Sequence, residues 1–378
     1  MAIAERFLKS TLLDLKSMKF DKVLLMLLIL ALLGCAQHSS DQVEHGIVKF
    51  AKNFQIEFHD GYKILKVKED GSWKTYVLYY DKPPEGVEGI PIKIPIKRMV
   101  VMSSTHIAQL EAINGTDAVV GFMYGGRYKL YFPDVVERLE KGEIVDLGSP
   151  NAPDYEKLIE LNPDIVIIYV TSSNEKVREK LRELGINYIV DSEWLENDPL
   201  GRAEWVKFFG ALLDKDKEAE EYFNRIVKNV EEIEEAVSSV EEKPNVLWAL
   251  IYKGRVYVPR GDSYVAKMIE YAGGNYLFKD VNGAGSEIVN IEDLLLKGQK
   301  ADVMIYSSYY VKSLDDIKRK EPRMADLKVF KERKIYNITP DYWQLGLLHP
   351  DIVIKDLAAI LHPELFKDYE PRFFVRLS

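Results

Sequence analysis

The sequence predicts an α/β protein: two similar lobes with parallel sheets, joined by one long helix and preceded by a β-hairpin region. Three observations predict it. First, Tyr155-Glu156-Lys157-Leu158-Ile159 leads through Asn162-Pro163 into Asp164-Ile165-Val166-Ile167-Ile168, and Ile291-Glu292-Asp293-Leu294-Leu295 leads through Gly298-Gln299 into Ala301-Asp302-Val303-Met304-Ile305. Each unit is a short helix opened by a glutamate, then a turn, an aspartate and a buried-strand run, and a chain that repeats such a unit is built from similar lobes. Second, apolar runs alternate with amphipathic stretches from Arg98 onward, the pattern of a parallel sheet covered on both faces. Third, residues 214–240 carry apolar side chains at helical spacing from Ala219 to Val240. That is roughly 27 residues, or about 40 Å at about 1.5 Å each, enough for a strut between lobes.

The amino terminus predicts export. Residues 23–33 are uninterruptedly apolar behind Lys19 and Lys22. The run is too short to span about 30 Å of hydrocarbon and fits a secretory leader, with Met1 or Met18 as its start. It ends in Leu32-Leu33-Gly34-Cys35, and Leu-x-Gly-Cys at that place resembles the bacterial lipobox, in which the cysteine is lipidated. Cys35 is the chain's sole cysteine, so intramolecular disulfides are excluded and stability rests on packing. The net charge of −9 argues against a nucleic-acid partner.

The expected divisions are a leader at 1–35, a tether and β-rich extension at 36–97, a first lobe at 98–213, a linker helix at 214–243 and a second lobe at 244–378. In the extension, Phe54, Ile56 and Phe58 alternate, and Asp60-Gly61 and Asp70-Gly71 supply hairpin turns before Trp73 to Tyr80. In the first lobe, strands are expected at 98–102, 118–122, 144–147, 164–170 and 187–190, with helices at 107–113, 155–161, 174–184 and 202–213. The second lobe has expected strands at 246–251, 255–258, 301–306 and 335–338, and helices at 264–271 and 350–361.

In their order and spacing, Met99 to Gly121, Asn151 to Ile168, Val258-Pro259-Arg260-Gly261 with Ser263 to Gly274, and Glu287 to Ile305 resemble the substrate-binding proteins of ABC importers for iron–siderophore complexes, haem or vitamin B12. The resemblance spans roughly Lys97 to Leu365 and leaves the hairpin region outside. It implies two Rossmann-like lobes on a single helical linker, a ligand held between them without turnover, no cofactor, a monomer, and a lipid anchor in the membrane. It also implies that Glu156 and Glu292 dock on arginines of a permease dimer. Pro163-Asp164 follows Glu156 as in the family, whereas Ala301-Asp302 replaces Pro-Asp after Glu292 and stands two residues further on. Physically, a carboxylate in a helix's first turn is favoured by the helix dipole, and two ion pairs engaged together orient a complex.

Strand ends and the loops after them face the cleft in such lobes. That rule nominates Tyr124, Arg127, Tyr128, Tyr131, Thr171 and Ser172 on one rim, and Tyr252, Arg260, Tyr309 and Trp343 on the other. Aromatic faces suit a flat, partly apolar ligand, and the two arginines suit its carboxylate or phosphate. His106 and His349 read as satisfied polar residues at helix starts, and a zinc-type site needs three or four good ligands that the histidines do not supply. Hydrolase elbows, P-loops and dinucleotide fingerprints are absent from the sequence. Two alternatives remain open: an extracytoplasmic two-lobe sugar-processing enzyme, and a sensor or scavenger of the same fold without a transporter.

Overall fold

The repeated unit recognised in the sequence returns as a repeated set of hydrogen bonds. In the computed structural model, residues 48–308 and 310–378 are described. The expected leader, Cys35 and Tyr309 lie outside them. Asp154 caps the helix Tyr155–Leu161 by accepting from the Lys157 N–H, and Asn290 caps Ile291–Gly298 by accepting from the Asp293 N–H. Glu156 and Glu292 each hold the second helical position behind an Asx cap. The aspartates that follow match as well. Asp164 accepts from the Lys97 and Arg98 N–H groups at 2.9 and 2.8 Å, and Asp302 from the Asn245 N–H at 3.0 Å. Each thereby ties its own strand to the start of the first strand of its lobe.

Among the described residues the first lobe's sheet comprises Met99–Val101 (β5), Val119–Phe122 (β6), Val145–Asp146 (β7), Ile165–Ile168 (β8) and Tyr188–Val190 (β9), following four strands of the extension (β1 to β4, below). All its pairings are parallel, in the order β9-β8-β5-β6-β7. The strand order therefore reverses between β5 and β8, which makes a crevice beyond their carboxyl ends. The second lobe is parallel at its centre, where Asn245–Tyr252 (β10) and Ile335–Ile338 flank Val303–Tyr306. Antiparallel strands complete it: Arg255–Pro259 and Ser286–Val289 on one side, Phe374–Arg376 on the other. The last two of these were not anticipated.

The linking helix runs from Asp216 to Val237, with Ala219, Tyr222, Phe223, Ile226, Val230, Ile233 and Val237 forming its buried stripe. Asp214, in the left-handed region at φ 57°, closes the preceding helix and sets its start. The single helix expected over 202–213 is two, Pro199–Glu204 and Val206–Leu213, meeting at the fully buried Trp205. The linker packs on Val206–Leu213 of the first lobe and on Pro350–Leu361 of the second. The Tyr222 hydroxyl donates to the Leu348 carbonyl, and Asn229 donates to Asp351 at 2.6 Å.

The β-rich extension is part of the first lobe's core. Phe54–His59 (β1), Tyr62–Glu69 (β2) and Ser72–Tyr79 (β3) form an antiparallel meander, and Ile90–Lys93 (β4) adds in parallel to β3. The Phe54 ring lies 4.7 Å from that of Trp205. Two buried carboxylates hold the incoming chain: Glu204 accepts from the N–H groups of Lys49, Phe50 and Ala51, and Glu196 from those of Lys52 and Asn53. The buried Lys63 ammonium reaches Asp214 and Asp216 at the start of the linking helix.

Candidate ligand cleft and docking carboxylates

Four of the five parallel strands of the first lobe deliver residues to one cleft from their carboxyl ends. Ser103 follows β5, Arg127 and Tyr128 follow β6, Tyr169 and Thr171 follow β8, and Asp191, Glu193 and Trp194 follow β9. The second lobe closes the other side with Tyr264, Pro340, Trp343 and Gln344. The cleft has two adjoining chambers, of about 410 and 360 Å³, which share Ser103, Tyr169 and Trp343. Two larger grooves, of about 590 and 780 Å³, lie elsewhere; the first is lined largely by lysines and acids, the second by a mixture of charged and apolar side chains. The second of them sits at the amino ends of the second lobe's strands, beside Asn245 and Val303, away from the edge where α/β sheets bind ligands.

The outer chamber is basic and aromatic. Arg127 and Lys129 are exposed at its lip, and the Lys129 ammonium lies 4.9 Å from the Tyr131 ring. Arg127 Nε donates to the Tyr124 carbonyl, so one face of the guanidinium edge is already used. Gln344 spans the lobes here, accepting from the Tyr131 N–H at 3.1 Å and donating to the Lys129 carbonyl at 2.8 Å.

The inner chamber has a polar floor. Ser103 caps the helix Ser104–Ala112, which places His106 in the first turn with 1% of its surface exposed. Nδ1 of His106 accepts from the Met102 N–H at 3.4 Å, so the neutral ring carries its proton on Nε2. Burial pushes this imidazole's pKa down to about 3. Nε2 stands 3.6 Å from Oδ2 of Asp191, a carboxyl that is also 1% exposed. Burial, together with the charge of Glu193, raises the Asp191 carboxyl well above its usual range. Arg202 is paired with Glu193 at 2.7 Å and lies over the Tyr264 ring at 4.4 Å.

Of the nominated cleft residues, Arg127, Tyr128, Tyr131, Thr171 and Trp343 line the chambers. Tyr124 stands behind them, stacked on Phe122 and donating to the Tyr128 carbonyl. Ser172 is exposed next to Thr171 without lining either chamber, and Tyr252 is 52% exposed at the end of β10. Arg260 pairs with Glu287 beside the Gly283 loop, a partner supplied by the unanticipated strand Ser286–Val289. His106, Asp191, Glu193, Trp194, Arg202 and Tyr264 were not nominated. The strand-end rule reaches Asp191 to Trp194, which directly follow β9; Arg202 and Tyr264 sit on helices, beyond that rule. His349 is half-buried ahead of Pro350. Among the described residues no group of three or more His, Cys, Asp or Glu side chains is arranged to hold a metal ion.

Glu156 and Glu292 are both exposed on their helices. Glu156 makes no side-chain ion pair among the described residues. Glu292 is bridged at 3.2 Å to Arg323, whose guanidinium also binds Glu321. Each helix sets a bare apolar side chain near its glutamate, Ile159 at 52% and Leu296 at 72% exposure.

A family model described as periplasmic binding protein matches residues 99–342, and the chain belongs to that family. Two uncharacterized lipoproteins of Methanocaldococcus jannaschii are similar along most of their length. One is 38% identical over 88% of this chain and 86% of its own, and the other 32% identical over 85% and 84%. Among solved structures, the fold is similar to Helicobacter pylori CeuE with Ni(II) bound (TM-score 0.59, 18% identity, 81% of this chain and 91% of that one). It is also similar to a periplasmic heme binding protein from Pseudomonas aeruginosa (TM-score 0.57, 15% identity, 75% and 98%). A possible iron-binding periplasmic solute-binding protein from Staphylococcus epidermidis shares it too (TM-score 0.56, 20% identity, 71% and 100%).

Proposed function

We propose that this protein is the extracytoplasmic substrate-binding component of an ABC importer. It captures an iron–siderophore complex, haem or a corrinoid between its lobes and hands it to a permease dimer, with Glu156 and Glu292 as the docking carboxylates. It acts as a monomer, binds without catalysis, and is held at the membrane by lipid on Cys35. The lipoprotein relatives support the anchor. Among the described residues no helix is long and apolar enough to cross a membrane.

The observation that carries the reading is the cleft itself: aromatic side chains from both lobes, with Arg127 and Lys129 at its lip, over chambers of about 410 and 360 Å³. That volume and chemistry suit a bulky, partly apolar ligand with anionic groups. The names of the structural neighbours, which mention heme, iron and Ni(II), point the same way. Tyr124, Ser172, Tyr252 and Arg260 remain part of the proposed rim without lining either chamber, and Tyr309, outside the described residues, remains part of the proposal on its sequence position alone.

Trp194 and Trp343 line the inner chamber, so a light-absorbing ligand quenches their fluorescence. Titration with haem, a ferric siderophore and cobalamin is expected to show saturable quenching, at micromolar concentration or below, by one of them. Silence with all three overturns the reading, and sugar hydrolysis or transfer by the same preparation replaces it with an enzyme.

A further inference from the structure

The two ends of the cleft differ: the lip is basic, and the inner end holds a buried carboxyl with one oxygen unpartnered. Asp191 Oδ1 accepts from the Glu193 N–H at 2.8 Å, while Oδ2, fully buried, has no hydrogen-bond partner among the described residues. His106 does not supply one, since its Nε2 stands at 3.6 Å and its ring is neutral. Arg202 does not supply one either, because its charge is matched by Glu193 at 2.7 Å. Of the two acids that line the inner chamber, Asp191 is therefore the one left without a direct cationic partner among the described residues; the Arg202 charge, paired with Glu193, acts on it only from a distance. A buried carboxyl in that state is costly unless something binds it.

The walls around it favour a cation. Tyr169, Trp194, Tyr264 and Trp343 line the same chamber, and aromatic faces attract ammonium groups. Arg127 and Lys129, the unmatched positive charges, line the outer chamber instead. A guest with negative charge throughout suits the lip and not the floor. A guest with an anionic or neutral body and a protonated amine at one end suits both.

We propose that Asp191 receives a protonated amine of the ligand, so that the cleft selects metal complexes bearing a pendant ammonium over those that are anionic throughout; this rests on the receptor reading above. Trp194 and Trp343 flank the amine, and Arg127 and Lys129 meet the body of the complex.

The test compares one ferric trihydroxamate carrying a free primary amine with its N-acetylated twin, which differ only in that charge. Both are titrated by tryptophan quenching against the wild-type chain and D191N, with haem and cobalamin in parallel. The expected result is that the amine form binds the wild type about tenfold or more tighter than the acetylated form, and that D191N erases the difference. The wild-type comparison needs no variant, so a D191N chain that fails to fold does not affect it. Equal affinity for the twins, or a preference for the acetylated one, overturns the assignment while the receptor reading stands. Haem or cobalamin bound while both trihydroxamates are refused does the same. Refusal of every probe removes the receptor reading and this assignment with it.

Discussion

Gln344 of the second lobe accepts a hydrogen bond from the Tyr131 N–H of the first, at 3.1 Å, and with 6% of its surface exposed it is shut inside the contact it makes. Its amide nitrogen also donates to the Lys129 carbonyl at 2.8 Å. Two bonds of about 1 kcal/mol each thus latch the outer chamber. Q344A is expected to speed ligand release by roughly tenfold while leaving the fold intact. Stopped-flow tryptophan fluorescence measures the release rate; an unchanged rate means that the latch plays no part in retention.

Glu204 is fully buried and accepts from three consecutive backbone N–H groups, Lys49 to Ala51, while the Lys207 ammonium approaches it at 3.2 Å. Removing a buried acceptor from such a cluster strands its donors, at roughly 3–5 kcal/mol. E204A is expected to lower unfolding stability by that order and to expose the chain around residues 49–53 to protease. Urea denaturation and timed proteolysis read both effects.

Acid should destabilise the protein partly through His106. Its folded pKa of about 3 lies below the unfolded value of about 6.5, so the unfolded chain takes up a proton that the folded chain refuses. This contribution is intact above about pH 6.5 and erodes as pH falls, at up to about 1.4 kcal/mol per unit. Asp191 acts with the opposite sign: its raised pKa favours the folded state at low pH and loses that benefit as pH climbs through the folded value. Between pH 7 and 5, wild type is expected to lose about 2 kcal/mol more than H106Q, measured by chemical denaturation at each pH.

Docking and capture should separate by mutation. E156A and E292A together are expected to abolish most uptake in cells while leaving the ligand Kd of the purified protein unchanged, because neither residue lines the cleft. R323A, which frees Glu292 from its bridge, is expected to spare uptake. Uptake unaffected by the double variant points to a sensor or scavenger instead.

Much of the fold was legible because two patterns repeat. Asp164 and Asp302 stood out as acids before buried runs, and each does the same job, tying strand starts together. The linker's buried stripe follows the spacing seen in the sequence. The strands Ser286–Val289 and Phe374–Arg376 escaped notice because one is edged with Ser and Glu and the other is only three residues long. For the cleft, the loops after β6 and β8 were found by position. Asp191 directly follows β9, but a lone acid after a strand looks in sequence like any solvated loop carboxylate, and only the fold reveals its burial. Tyr264 and Arg202 enter from helices, and no local pattern reveals which face of a helix a distant lobe will cover.

The grip of Glu204 and Glu196 on residues 49–53 also sets the length of a leash. On the proposed lipid anchor at Cys35, thirteen residues separate the anchor from Lys49, and a chain of that length spans at most about 50 Å. If the proposed anchor holds, a receptor so short-tethered patrols a thin layer above the lipid. Its encounters with a permease then depend on how many copies share each patch of membrane, and dilution of the surrounding fluid leaves that number untouched.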